Sequence, residues 1–120
     1  MTLTAVDENG VRAIEGVAGD SLMATPADIN RVVETAFSER TRKILLYPSN
    51  LTPAFFDVSS REAGEILQKL RTYKIRMAVV CAPGSTKFSS RFNELLADER
   101  RHGHFDVFET RAAAREWLAR

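Results

Sequence analysis

The chain has 120 residues, of which 44% are hydrophobic and 28% are charged, a size and composition that fit one domain around one core. Its 17 basic and 16 acidic side chains nearly cancel, which argues against a dedicated nucleic-acid binder with concentrated positive charge. The apolar runs are too short to cross a bilayer, and the opening residues carry no secretory signal. We therefore expect a cytoplasmic protein that contacts neither membrane nor nucleic acid.

The first third of the chain predicts a hairpin and then a helix. Asn9-Gly10 tolerates the positive φ of tight hairpin turns and separates two β-prone runs. These predicted strands cover residues 2–6 and 11–17. A helix is predicted from Thr25-Pro26, because threonine caps free amides and proline suits the first helical position. Its apolar residues recur at the spacing of one buried face: Ile29, Val32, Val33, Ala36 and Phe37.

The remaining chain alternates strands with helices. The predicted elements are a strand over 43–47, a helix over 60–73, a strand over 75–81, a helix carrying Phe88, Phe92, Leu95 and Leu96, a strand over 105–108, and a short helix capped by Thr110. This ββαβαβαβα order predicts an α/β fold, a single-domain mixed sheet whose hairpin is antiparallel and whose later strands are parallel. Gly64 inside the second helix predicts a close approach of that helix to the sheet.

Loops that follow parallel strands are expected to meet at one edge of the sheet, where binding sites form in such folds. Here they comprise residues 48–60, residues 82–87 and the turn after Phe108. Two hydroxyl-rich stretches, DVSS at 57–60 and GSTK at 84–87, therefore share that edge. The candidate binding residues are Asn50, Asp57, Ser59, Ser60, Arg61, Ser85 and Lys87.

The stretch Ser59–Glu62 has the pattern of a capping box, in which Ser59 and Glu62 satisfy each other's backbone amides. A structural cap would explain these residues without any function. A helix N-terminus also stabilises negative charge, so Ser59 and Ser60 are also candidates for phosphorylation. Arg61 would add a favourable cation, whereas Asp57 and Glu62 would oppose a phosphate.

The residues that could carry catalysis do not form a complete set. Cys81, His102 and His104 are too few for a cysteine-rich zinc site, and we expect neither metal nor cofactor. The 84–87 loop lacks the glycine spacing and residue order of a P-loop. No serine lies in a Gly-x-Ser-x-Gly elbow, and Cys81, at the end of an apolar strand, favours an inert thiol. An enzyme is the least favoured class.

Residues 43–80 read KILLYPSNLTPAFFDVSSREAGEILQKLRTYKIRMAVV. This stretch resembles the signature of a bacterial family of unknown function, DUF4180, which joins a leucine-rich strand, a proline loop, Phe-Phe-Asp, a hydroxyl pair and Ala-Gly-Glu-Ile-Leu-Gln-Lys. The matching residues are Pro53, Phe55, Phe56, Asp57, Ser59 and 63–69. Arg91-Phe92 and the aromatic last strand extend the resemblance over nearly the whole chain. It implies a bacterial protein and no established activity.

More distantly, the chain is similar to the STAS domain of anti-sigma factor antagonists, which has the same element order. There an Asp-Ser-Ser-Gly stretch opens the second helix, and phosphorylation of one serine by the partner kinase switches binding off. Asp57 matches the aspartate and Ser59-Ser60 the serine pair, while Val58 lengthens the motif and Arg61 replaces the glycine. The similarity implies a STAS-like, non-enzymatic module for protein interaction and regulation.

Three functions are therefore expected, in order. The first is binding of a partner protein through the start of the second helix. The second is binding of a small molecule or anion in a pocket between Asn50, Ser59, Ser85 and Lys87, and the third is an enzyme of unknown type. Pairing of two exposed hairpin edges into a homodimer is a separate hypothesis.

Overall fold

The computed structural model describes residues 3–57, 61–84 and 88–120. Within these ranges, five strands and four α-helices follow one another in the predicted order. The strands are β1 (Leu3–Glu8), β2 (Val11–Gly16), β3 (Lys43–Leu46), β4 (Arg76–Val80) and β5 (Phe105–Phe108). The helices are α1 (Ile29–Ser38), α2 (Glu62–Tyr73), α3 (Ser90–His102) and α4 (Arg111–Leu118). Single 3₁₀ turns at Pro26–Asp28 and Pro48–Asn50 precede α1 and follow β3.

The five strands form one sheet in the order β1-β2-β3-β4-β5. β1 pairs antiparallel with β2, and each later pair is parallel. Asn9 and Gly10 have φ values of 52° and 78°, as the tight hairpin turn requires. Parallel neighbours need crossover connections, which α1, α2 and α3 supply. The predicted α/β class and mixed sheet are confirmed.

The sheet buries side chains on both of its faces. Successive side chains of a strand point to opposite faces, so Ile44 and Leu46 join one apolar cluster and Leu45 joins another. The larger cluster contains residues of α1, α2 and α3, whereas Ala114 and Leu118 of α4 pack in the smaller one. Burial on both faces explains why β4 is apolar without alternation.

Charged side chains join α4 to the hairpin. Arg111 donates hydrogen bonds to Glu15 at 2.7 and 2.9 Å and to Glu8 at 2.6 Å. Arg115 is only 7% exposed and donates to two main-chain carbonyls of the hairpin. The hydrogen bond from Arg111 holds the pKa of Glu8 below its ordinary value of 4.5. The first and last elements of the chain are thus linked.

Two sequence-based expectations for α2 differ from the structure. The helix begins at Glu62 rather than Ser60, because Arg61 before it has a left-handed φ of 64°. The predicted close approach at Gly64 is wrong, since this residue is exposed and an added Cβ would meet no atom within 4 Å. The predicted capping role of Ser59 lies outside the described residues.

Candidate functional site

The loops after β3, β4 and β5 leave the sheet at one edge, as the parallel pairing requires. We call this the C-terminal edge; its described residues are 48–57, 61, 81–84 and 108–110. The amide of Cys81 donates to the carbonyl of Phe108 at 2.7 Å, which places the last two loops side by side. A cleft of about 350 Å³ lies between them and α3, with Phe88 and Asn93 in its wall.

Aromatic packing closes part of the C-terminal edge. Phe55 is fully buried and lies 6.2 Å from Phe92 and 5.8 Å from Phe105, measured between ring centroids. Phe56 stacks on Phe88 at 5.4 Å, so the loop after β3 contacts the segment that leads into α3.

Asn50, one of the predicted binding residues, is fully buried. Its Oδ1 accepts from the Tyr47 amide at 2.8 Å, and its Nδ2 donates to the carbonyls of Val17 at 2.9 Å and Asp20 at 2.8 Å. Gly16 leaves room for it, because an added Cβ there would collide with the Asn50 amide group. Asn50 therefore joins two loops of the protein, and both hydrogens of its Nδ2 are engaged in hydrogen bonds within the protein.

Asp57 and Arg61 are the predicted site residues that the structure describes on the exposed surface of this edge. The Asp57 amide donates to the Ala54 carbonyl at 3.0 Å. Arg61 has φ 64° and its side chain makes no cap hydrogen bond. A left-handed conformation costs a residue with a Cβ about 1–2 kcal/mol, and glycine adopts it freely. The predicted site residues Ser59, Ser60, Ser85 and Lys87 lie outside the described residues.

The geometry separates Cys81 from His104. Cys81 pairs with Phe108 after β4, whereas the amide of Met77, at the other end of β4, donates to the His104 carbonyl at 2.8 Å. The four residue-to-residue steps from Met77 to Cys81 correspond to about 13 Å of strand. His104 Nδ1 lies 3.0 Å from the Ile75 carbonyl. These two side chains therefore do not form a nucleophile–base pair.

The described part of the chain contains neither a metal-ligand cluster nor a helix that could cross a membrane. Within residues 3–57, 61–84 and 88–120, no group of three His, Cys, Asp or Glu side chains is arranged to hold a metal ion. In the same residues, no helix combines the length and apolar character needed to cross a membrane.

A second, larger concavity of about 600 Å³ lies at the opposite edge of the sheet, between the hairpin turn and the connection from α1 to β3. Arg12, Arg40, Arg42 and Lys43 line it. Sequence reasoning missed this group because Arg12 is far in sequence from the other three. The pairing of β2 with β3 brings them together.

Comparison with known proteins leaves the activity open and shows the family. A search of curated proteins found no match. The family model described as "Domain of unknown function (DUF4180)" matches residues 8–118, which span the chain from β1 to the last residue of α4. The chain therefore belongs to the DUF4180 family, as its resemblance to that signature predicted.

Proposed function

We propose that this protein is a non-enzymatic interaction module of the bacterial cytoplasm, whose C-terminal edge binds a partner protein and which needs no cofactor. The observation that carries the proposal is the exposed Arg61, held at φ 64° directly before α2. Strained backbone persists where the surrounding structure over-determines it, and such residues cluster at functional sites. Asp57 lies at the same exposed edge and completes a surface with both signs of charge.

A protein partner is favoured over a small molecule because of the packing behind this edge. Asn50 uses its side-chain amide for internal hydrogen bonds, and the contact of Phe56 with Phe88 fills the adjoining space. The exposed Asp57 and Arg61 lie on loop surface outside the cleft of about 350 Å³. Such a surface suits contact with another protein better than enclosure of a small ligand.

The resemblance to STAS domains supports regulation at the same edge. A phosphate on Ser59 or Ser60 would add about −1.5 to −2 units of charge beside Arg61. We propose that such a phosphate pairs with the guanidinium of Arg61 and so withdraws it from an acidic partner. Binding of the partner and phosphorylation would then exclude each other.

The experiment that tests this proposal is capture of the partner from cells that naturally make the protein, with and without ATP. The wild type is compared with a Ser59→Ala/Ser60→Ala variant, and both are analysed for phosphoserine by mass spectrometry. We expect a partner that ATP releases from the wild type but not from the variant. Absence of a retained partner, or of phosphoserine at both positions, contradicts the proposal.

β1 is an edge strand of the sheet, so we keep homodimer formation through β1 as a separate proposal. Sedimentation equilibrium tests it: a monomer at micromolar concentration contradicts this pairing.

A further inference from the structure

The concavity at the N-terminal ends of the parallel strands is lined by four basic residues. We call it the basic groove and define it by Arg12, Phe37, Arg40, Arg42 and Lys43. It lies opposite the C-terminal edge, so it is independent of the proposed protein-binding surface. Its volume of about 600 Å³ falls within the range of small-molecule sites.

Most of the cations in the basic groove lack an acidic partner. Arg12 is paired, since it donates to both carboxylate oxygens of Asp7, at 2.9 and 3.0 Å. In contrast, no carboxylate among the described residues forms an ion pair with Arg40, Arg42 or Lys43. Arg40 and Arg42 thus line one concavity without an ion pair, although Arg42 donates a hydrogen bond to the Tyr73 carbonyl at 3.3 Å. Two uncompensated cations make the concavity complementary to a negatively charged ligand.

Phe37 is the aromatic residue in the wall of the basic groove. It is 42% exposed, and its ring meets that of Tyr73, outside the groove, edge to face at 5.9 Å. The guanidinium carbon of Arg42 lies 5.6 Å from the Phe37 ring centroid. An exposed ring beside an arginine suits a ligand that joins a planar ring to phosphate groups, because the ring contacts Phe37 and arginine binds phosphate in a fork.

We propose that the basic groove binds a small phosphorylated molecule with a planar ring, of the nucleoside polyphosphate class. Arg40 and Arg42 contact its phosphates, and Phe37 contacts its ring. A long nucleic acid is disfavoured because the chain as a whole carries a net charge of only +1.

Isothermal titration calorimetry with ATP, inorganic pyrophosphate and hexaglutamate tests this site. For the wild type we expect ATP to bind with Kd below about 1 mM, the range of metabolite affinities, and more tightly than pyrophosphate. Arg40→Gln/Arg42→Gln should weaken ATP binding about tenfold or more, and Phe37→Ala should reduce ATP affinity to that of pyrophosphate. Arg42→Gln alone provides a single-charge variant if the double variant is unstable by circular dichroism.

The matched control is Arg91→Gln/Arg101→Gln, which removes two exposed arginines of α3 and should leave ATP affinity unchanged. Three results overturn the proposal: no ATP binding, equal weakening in the α3 control, or tighter binding of hexaglutamate than of ATP. The groove variants lie at the opposite end of the sheet from the C-terminal edge, so partner capture by these proteins reports on the proposed function separately.

Discussion

Arg71 of α2 forms an ion pair with Glu99 of α3, whose side chain is fully buried. The second carboxylate oxygen of Glu99 has no hydrogen-bond partner among the described residues. A buried carboxylate is costly unless it is paired, so Arg71 stabilises the position of α3 against α2. The guanidinium itself is 44% exposed, which allows water to complete its hydrogen bonds.

Removal of Arg71 alone should therefore destabilise the protein more than removal of both partners. We expect Arg71→Met to lower the free energy of unfolding by about 2 kcal/mol or more, because it leaves an unpaired buried charge. Arg71→Met/Glu99→Met should lie close to the wild type. Urea denaturation measures both, and a double variant as unstable as the single one contradicts the interpretation.

Substitution of glycine by alanine should have opposite effects on the free energy of unfolding at Gly64 and at Gly16. Gly64→Ala should raise the free energy of unfolding by about 0.5–1 kcal/mol, because the helix position is exposed and open. Gly16→Ala should lower it by about 1–3 kcal/mol, the range for overpacked sites, because the new methyl group would collide with Asn50. Thermal and urea unfolding of the two variants measure both effects. A loss of stability in Gly64→Ala would contradict the conclusion that a methyl group at this position meets no neighbouring atom.

Asn50 should be a large contributor to stability. Asn50→Ala removes three hydrogen bonds from a fully buried position and leaves their main-chain partners unsatisfied, so we expect a loss of about 3 kcal/mol. Ser49→Ala is the matched control in the same turn, since exposed Ser49 accepts a single hydrogen bond from the Gly19 amide. Similar losses of stability in Asn50→Ala and Ser49→Ala would show that the hydrogen bonds of Asn50 are not the main link between the two loops.

Acid should destabilise the link between the hairpin and α4. The hydrogen bond from Arg111 lowers the pKa of folded Glu8 below 4.5, so its contribution is present above pH 4.5 and is lost as the pH falls through the folded pKa. The free energy of unfolding should decrease from about pH 5 to about pH 3, and Glu8→Gln should show a smaller decrease. Glu94→Gln, an exposed α3 variant, is the control, and equal pH profiles for the wild type and Glu8→Gln contradict this role.

The order of elements could be predicted because its signals are local. The Asn9-Gly10 turn, the apolar run of β4 and the periodic faces of the helices each lie within a few residues. Asn50 and Glu99 could not be assigned in this way. Asn50 owes its role to Asp20, thirty positions earlier in the chain, and Glu99 is buried through its partner on another helix. Polar residues that the fold buries look like surface residues in the sequence.

The sequence predicted where the loops lie, and the role of their residues as a site stays a prediction. Parallel strands place the loops after β3, β4 and β5 together, and Asp57 and Arg61 are exposed there. The left-handed backbone of Arg61 could not be predicted, because arginine has no preference for that conformation. The basic groove was missed for a related reason, since the pairing of β2 with β3 creates it.

The most direct measurement of the central claim compares Arg61→Gly with Lys74→Gly in affinity for the captured partner. Arg61 and Lys74 are exposed cations at positive φ, 64° and 55°, at the two ends of α2. Both substitutions remove one charge and relieve the same kind of backbone strain, so both should stabilise the fold by about 1 kcal/mol. We predict that Arg61→Gly weakens partner binding about tenfold or more, while Lys74→Gly binds like the wild type. Equal affinity for the partner in the wild type and Arg61→Gly would contradict the assignment of the C-terminal edge as the binding surface.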